Sequence, residues 1–285
     1  MLESTTQHSL NYAVTAAPWA LPGAPVLLRG DMNEQIKKAK LLGYDAIELH
    51  LRVPDDANIR ELHSLCEEYD IHISAVATGL SKLVDKLCFI DDDPKIRVSA
   101  VDRIKRFIDW SSEFNCGIIV GSMRGSIPNL NDRSLYDQRM LECLRDIVDY
   151  AEPAKVPIHL EVINRYENNY LNTAKETLEY IKNFNTDNLY VHLDTFHMNI
   201  EESNIENAIM LCGSKLGYIH FADNNRHACG EGFLDFKKIQ MALKNISYKG
   251  YASVECLPIP DGFTAAKKSI EYLKAEEKKY DCSCK

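Results

Sequence analysis

Short apolar runs of strand length alternate along the chain with longer segments that have a helical pattern. The strand-like runs lie near Tyr12 and at residues 46–51, 72–77, 117–121, 156–163, 189–193, 216–221 and 251–256. Between them, apolar residues recur three and four positions apart, which predicts amphipathic helices that begin near Met32, Ile59, Ile96, Met140 and Ala174. Strands that alternate with helices of this length indicate parallel βαβ units.

Eight such units fit a chain of 285 residues, since a closed (β/α)8 barrel usually takes about 250 residues. We therefore predict an α/β fold with a single TIM-barrel domain over residues 1–285 and a tail at about 276–285 outside the barrel. An open doubly wound sheet is the alternative. It suits the chain less well, because it would spread apart the polar residues at the ends of the strands.

Four consecutive strand-like runs end on a residue that can bind a metal ion. These residues are Glu161, Asp194, His220 and Glu255. In a TIM barrel the carboxyl ends of the strands meet at one face, which is where active sites lie. Hard divalent cations take carboxylate oxygens together with one or two imidazoles, so the set predicts a single-metal site. Taken singly, an acid in such a position is better explained as a cap of the following helix; the metal site is predicted from the four residues together.

Composition and charge narrow the range of partners. The formal net charge of −9 and the pI of about 5.5 argue against nucleic acid or an anionic membrane as the main partner. No apolar run approaches the ~20 residues of a membrane span, and the start of the chain lacks the pattern of a signal peptide. We expect a cytoplasmic protein. The nine cysteines lack zinc-ligand spacing, so we expect them to be reduced.

The predicted site suits proton transfer next to a carbonyl. A metal chelated by the carbonyl and a neighbouring hydroxyl would stabilise the enediolate that forms when the proton leaves. If Glu255 removes the proton at carbon 3 and Glu161 delivers one to the other face, the stereocentre inverts. If one base moves a proton between carbons 1 and 2, an aldose forms instead. The same enediolate could also expel a hydroxyl, as in a polyol (inosose-type) dehydratase, so the sequence leaves these three reactions open.

The carboxyl-terminal half resembles a known family. The runs EVINRYE (161–167), HLDTFHMNIEE (192–202), IHFADNNRHACGEG (219–232) and VEC (254–256) are similar to the D-tagatose and D-psicose 3-epimerases, ketose 3-epimerases of the xylose-isomerase-like TIM barrel superfamily. The family has a Gly-Glu pair where this chain has Ala222 and Asp223.

The resemblance implies a sugar isomerase or epimerase with one divalent metal ion. Manganese, cobalt or magnesium is favoured, with zinc as a further candidate, and the residues that match the ligands are Glu161, Asp194, His220 and Glu255. The resemblance also implies that the sugar is contacted by Glu167, His197 and Arg226. Dimers or tetramers are usual in the family, which allows a homo-oligomer here.

The first half of the chain offers further candidates. Glu48 and Arg52 flank the second strand, and Arg124 follows the fourth beside glycine and serine. An arginine in this setting can bind an anionic group, so Arg124 and Glu48 are predicted substrate contacts for a sugar or sugar phosphate. The alternative is a structural ion pair between Glu48 and Arg124. A nuclease acting at abasic sites in DNA is not expected, because the chain lacks a basic face, and a non-catalytic binder is a minor alternative.

Overall fold

Eight parallel strands form a closed barrel in the computed structural model, which describes residues 9–283, with side chains as far as Lys279. The strands are β1 (Asn11–Ala17), β2 (Ala46–His50), β3 (His72–Ala77), β4 (Gly117–Val120), β5 (Ile158–Glu161), β6 (Leu189–Asp194), β7 (Leu216–Phe221) and β8 (Tyr251–Val254). Each strand pairs with the next, and β8 pairs back to β1. This closure confirms the predicted TIM barrel and excludes the open sheet. A two-residue strand, Leu28–Arg29, pairs in parallel with Ala16 and Ala17 at the carboxyl end of β1.

The helices lie between the strands, as the apolar periodicity predicts. They are α1 (Met32–Leu42), α2 (Ile59–Tyr69), α3 (Gly79–Leu83), α4 (Pro94–Ser112), α5 (Arg133–Ala154), α6 (Ala174–Ile181), α7 (Thr195–Glu201), α8 (Ile205–Cys212), α9 (Phe236–Asn245) and α10 (Gly262–Ser283). Side-chain caps fix several starts. The Asn58 side chain accepts from the Glu61 backbone N–H, and Thr173 forms a reciprocal capping box with Glu176.

The inward-facing residues of β5 to β8 form two polar layers, because alternate side chains of a strand point to the same face. The upper layer, at the carboxyl ends of the strands, holds Glu161, Asp194, His220 and Glu255, and the lower layer, two residues earlier on each strand, holds His159, His192, Tyr218 and Ser253. All four lower-layer residues are buried. The ring centroid of Tyr218 lies 5.4 Å from those of both lower-layer histidines. The upper layer therefore rests on a packed polar layer rather than on aliphatic side chains.

The predicted tail at residues 276–285 is wrong for the part that the structure describes. α10 continues to Ser283, and the buried Glu277 accepts hydrogen bonds from the Leu10 backbone N–H at 3.0 Å and from the Tyr12 hydroxyl at 3.2 Å. Lys244 forms an ion pair with the same carboxylate at 3.1 Å. The last helix is thus tied to the start of β1. Residues 284 and 285 lie outside the described part of the chain.

Seven cysteines from Cys66 to Cys256 are free thiols, and six of them are buried, in agreement with the predicted reduced state. The side chain of Cys282 and all of Cys284 fall outside the described residues. Within residues 9–283, none of the helices has the length and apolar character needed to cross a bilayer.

Candidate active site

The four predicted metal ligands converge at the carboxyl ends of their strands. Measured from Nδ1 of His220, the nearest carboxylate oxygens are those of Glu255 at 3.5 Å, Glu161 at 3.9 Å and Asp194 at 3.9 Å. Three of the four residues come from the ends of consecutive strands, and Glu255 directly follows β8. The barrel therefore gathers residues that are up to 94 positions apart in the sequence.

Two atoms of this cluster are buried without a hydrogen-bond partner, and both face the other ligands. They are Oδ2 of Asp194 and Nδ1 of His220. Asp194, His220 and Glu255 each bring one ligand atom within 4.8 Å of the others. A buried polar atom without a partner is costly, and three carboxylates with one imidazole are a donor set suited to a divalent cation. The residues present thus fit a bound metal ion.

The charges in the cluster act in opposite directions on its acids. Burial, reinforced by Glu255 and Asp194, raises the pKa of Glu161. Burial also raises the pKa of Asp194. Burial alone would raise the pKa of Glu255, but the positive charges of His220 and Arg226 outweigh it, and that pKa is lowered. The two carboxylates predicted to act as acid and base therefore sit in different electrostatic environments.

A second group of side chains surrounds the cluster and contains three predicted sugar contacts. Arg226 donates to Glu167 at 3.1 Å and to Glu255 at 3.3 Å. Its guanidinium lies 4.8 Å from the ring centroid of Phe196, within the range of a cation–π contact. Asn164 contacts both Glu167 (3.1 Å) and Nδ1 of His197 (2.6 Å). The sequence reasoning did not single out Asn164, although it lies within the NRYE run.

The loop that carries Arg226 is held by Asp223, one of the two residues that depart from the resembling family. The buried Asp223 carboxylate accepts from the backbone N–H groups of Gly230 at 2.9 Å and Leu234 at 3.1 Å. Arg226 itself has a φ of +61°, a left-handed conformation that a non-glycine residue adopts at some cost. Asp223, at a position where this chain departs from the family pattern, therefore stabilises the loop and is not one of the proposed metal ligands.

Glu48 does not line the cavity, contrary to its predicted contact with substrate. It is fully buried; Oε1 lies 2.9 Å from Nε2 of His50 and Oε2 lies 2.8 Å from Nε2 of His220. His50 is the residue of this pair that reaches the cavity. The sequence carried a signal for it, because Glu48 and His50 are two positions apart on one strand and so point to the same face.

Arg124 lies away from the cluster. Its buried guanidinium donates to the backbone carbonyls of Tyr170 and Leu171, and it does not belong to the cavity lining. The predicted Glu48–Arg124 ion pair is wrong, because the oxygens of Glu48 are taken by two histidines. A contact between Arg124 and an anionic substrate finds no support in this arrangement.

Arg52 takes part in a surface ion-pair network. It pairs with Asp85, which also accepts from Arg103 at 2.9 Å. The hydrogen bond from Arg52 lowers the pKa of Asp85. Arg52 therefore has a structural explanation.

Glycine on β4 and just after it makes room for the inward-facing side chains of β5. A Cβ at Gly121 would lie 1.9 Å from Oε2 of Glu161, and a Cβ at Gly117 would lie 2.2 Å from Nε2 of His159. Any side chain at either position would displace its neighbour on β5.

A cavity of about 240 Å³ opens above the cluster. Its polar lining includes Glu161, Glu255, His220, His197, Arg226, Glu167 and His50. Its remaining lining is mostly small or apolar and includes Ala20, Pro25, Val26, Leu80, Leu83 and Ile163. A molecule in this cavity would meet carboxylates and imidazoles as well as apolar side chains.

Comparison with known proteins agrees with this architecture. A family model described as a xylose isomerase-like TIM barrel matches residues 36–276. An L-ribulose 3-epimerase of Methylomonas sp. (strain DH-1) is 32% identical over 247 residues, which cover 85% of this chain and 81% of that protein. A ketose 3-epimerase of Arthrobacter globiformis is 31% identical over 219 residues, covering 75% and 74% of the two chains.

Solved structures show the same relationship. The D-allulose 3-epimerase from Methylomonas sp., in complex with D-allulose, superposes with a TM-score of 0.78 at 25% identity and covers 94% of this chain and 100% of that one. The family resemblance found in the sequence is confirmed. Because the family model spans most of the barrel and relatives above 30% identity match more than two thirds of the chain, this protein belongs to the xylose isomerase-like TIM barrel family and is an enzyme of the isomerase class.

Proposed function

We propose that this protein is a metal-dependent ketose 3-epimerase that acts on a free, unphosphorylated ketose. The observation that carries the proposal is the convergence of Glu161, Asp194 and Glu255 on Nδ1 of His220 at the floor of the cavity. The relatives named L-ribulose 3-epimerase and ketose 3-epimerase support the same reaction.

Glu161, Asp194, His220 and Glu255 would hold the ion. A bound divalent cation supplies positive charge that stabilises the substrate oxygens while the proton leaves the carbon next to the carbonyl. Manganese, cobalt and magnesium all suit this mainly oxygen donor set, and zinc is a further candidate.

Two carboxylates approach the substrate from different sides of the barrel. Glu161 ends β5 and Glu255 follows β8, three steps away around a ring of eight strands. Glu255, whose lowered pKa keeps its carboxylate ionised, is available as the base that removes the proton at carbon 3. Glu161, with its raised pKa, is suited to return a proton to the other face. Removal on one side and delivery on the other invert the stereocentre.

The residues around the cavity favour a neutral sugar. Arg226 is the one arginine or lysine among the cavity-lining residues in the described part of the chain, and its guanidinium is already shared by Glu167 and Glu255. Three glutamates line the same space and would repel a phosphate group. Hydroxyls, in contrast, can bond to the carboxylates, to His197 and to Arg226.

A deuterium-exchange experiment tests this proposal. The purified protein is loaded with Mn²⁺ and incubated in deuterated water with free ketoses and their phosphates, and the products are followed by NMR. We expect deuterium at carbon 3, formation of the 3-epimer and a preference for the free sugar. Exchange at carbon 1 or 2 with formation of an aldose would point to an isomerase, and loss of water would point to a dehydratase; either result would refute 3-epimerisation.

The metal is tested separately by the substitution Asp194→Asn. Because this change removes a charged ligand whose Oδ2 has no other partner, we expect bound Mn²⁺ and turnover to fall together. Calorimetric titration of the metal-free protein measures the first, and the NMR assay measures the second. Full metal occupancy with full turnover in the variant would contradict the ligand assignment.

A further inference from the structure

Glu48 is positioned to control how His220 meets the metal. Both residues are fully buried, and the carboxylate oxygen lies 2.8 Å from Nε2 of His220. An ionised carboxylate has no hydrogen to donate, and each oxygen of Glu48 faces an imidazole nitrogen, one on His50 and one on His220. The hydrogen therefore resides on Nε2 of His220.

This contact determines which nitrogen of His220 is available to the cluster. With Nε2–H donated to Glu48, Nδ1 is the nitrogen left to bind a cation, and any hydrogen that it carries in the metal-free protein leaves when the cation binds. Nδ1 is the nitrogen that faces Glu161, Asp194 and Glu255 and that has no hydrogen-bond partner. The ring is thus held in the one tautomer and orientation that suit metal binding.

We propose that Glu48 is a positioning residue that holds His220 with Nδ1 turned toward the metal. The inference rests on the proposed metal site and deepens it. Glu48 is excluded from the cavity lining, so it acts through His220 and not by contact with the substrate.

His50 provides the matched control. It contacts Glu48 in the same way as His220 does, since its Nε2 lies 2.9 Å from the other carboxylate oxygen. Unlike His220, however, it is not one of the four proposed ligands; its nearest cluster oxygen is a single one, on Glu255, at 3.8 Å. Removal of His50 leaves the Glu48–His220 contact in place.

The test compares Mn²⁺ affinity in metal-free Glu48→Gln and His50→Ala, measured by calorimetry and by EPR of the free ion. An amide has one accepting oxygen, so in Glu48→Gln the two histidines compete for it. We expect affinity to fall about ten- to a hundredfold in Glu48→Gln and to stay within about threefold of wild type in His50→Ala. In the double variant the amide oxygen is free for His220, so affinity should recover part of the loss. The absorption spectrum of bound Co²⁺ should change in Glu48→Gln and return toward wild type in the double variant.

Several results would overturn the inference. Wild-type affinity in Glu48→Gln would do so, as would equal losses in the two single variants, which would indicate a general structural role. An absence of recovery in the double variant would mean that the charge of Glu48 matters and not its hydrogen bond. If Glu48→Gln does not fold, Glu48→Asp decides, because it keeps the charge but shortens the reach to His220, and unchanged affinity there would refute the orienting role. Stoichiometric Mn²⁺ binding by the wild type is measured separately. If the wild type binds the ion and Glu48→Gln behaves like it, the role of Glu48 is refuted while the proposed function stands.

Discussion

The substitution Gly121→Ala should disable the site without unfolding the protein. A Cβ built at Gly121 lies 1.9 Å from Oε2 of Glu161 and 3.2 Å from its Cδ. Real Cβ contacts shorter than 3.0 Å are essentially absent, so the carboxylate oxygen has to move by at least 1.1 Å. The atom that moves is the far end of a flexible side chain, which can rotate at little cost to the fold.

The substitution should therefore weaken metal binding and catalysis rather than the stability of the fold. The oxygen that clashes is Oε2; Oε1, which faces His220, belongs to the same carboxylate, so the movement also displaces the proposed ligand oxygen. A carboxylate–metal bond is about 2.0–2.2 Å long, so a displacement of about 1 Å would break it. A misplacement of about 1 Å can lower the rate about a hundredfold, which corresponds to about 2.7 kcal/mol in activation free energy. We expect kcat/KM to fall at least to that extent and Mn²⁺ affinity to fall with it, while the unfolding midpoint in urea changes little.

Gly79→Ala is the matched control for metal affinity. A Cβ at Gly79 would meet only the Ser122 hydroxyl, at an ordinary contact distance of 3.7 Å, so Mn²⁺ affinity should be unchanged. Calorimetry gives the affinity of both variants, and the NMR assay gives turnover. Wild-type affinity and turnover in Gly121→Ala would refute the argument that Glu161 needs this space to act.

Three further predictions concern stability. Asp85→Asn should lower the free energy of unfolding by about 1 kcal/mol at pH 7. Because the pKa of Asp85 is lowered in the folded state, the stabilisation by this carboxylate is lost as the pH falls through that pKa. Equal losses of stability at pH 7 and pH 3 in urea titrations would contradict this prediction. Glu277→Gln should lower the free energy of unfolding by about 2 kcal/mol, since an amide cannot replace a carboxylate that accepts from both Leu10 and Tyr12. An unchanged urea midpoint would show that these hydrogen bonds to α10 do not stabilise the fold. Gly117→Ala should cost about 1–3 kcal/mol through overpacking against His159, and a variant as stable as wild type would disprove the close fit.

Much of the fold could be predicted because the signals are local. The seven strands predicted with bounds agree with the structure to within two residues at either end, the strand predicted near Tyr12 spans Asn11–Ala17, and α2 begins at the predicted Ile59. α5 begins at Arg133, earlier than the apolar pattern from Met140 indicated, because its first two turns are largely exposed. The end of α10 was misjudged for a similar reason, since a polar stretch gave no hint that Glu277 is buried.

The same distinction, between features with a local sequence signal and features without one, applies to the residues of the site. The four candidate ligands could be found because each lies at or next to the carboxyl end of a strand, and a parallel barrel brings such ends together. The partners of Glu48 and Arg124 could not be read in this way. Glu48 bonds to a histidine 172 positions away, and Arg124 donates to backbone carbonyls, which carry no mark in the sequence. Chemical type suggested a pairing of these two residues, but their actual neighbours were set by packing.

Two glycines on and just after β4, Gly117 and Gly121, each leave space for a side chain of β5, but substitution should have a different effect at each. Gly117 and Gly121 lie four positions apart and face two layers of the barrel, opposite His159 and Glu161. His159 is a ring fixed below the site, with Tyr218 at 5.4 Å and Tyr190 at 6.0 Å between ring centroids, so it has nowhere to move. Glu161 has its carboxylate beside an open cavity and can move. The same methyl group should therefore destabilise the fold in the lower layer and impair the chemistry in the upper layer, because the lower layer is packed and the upper layer is free to bind.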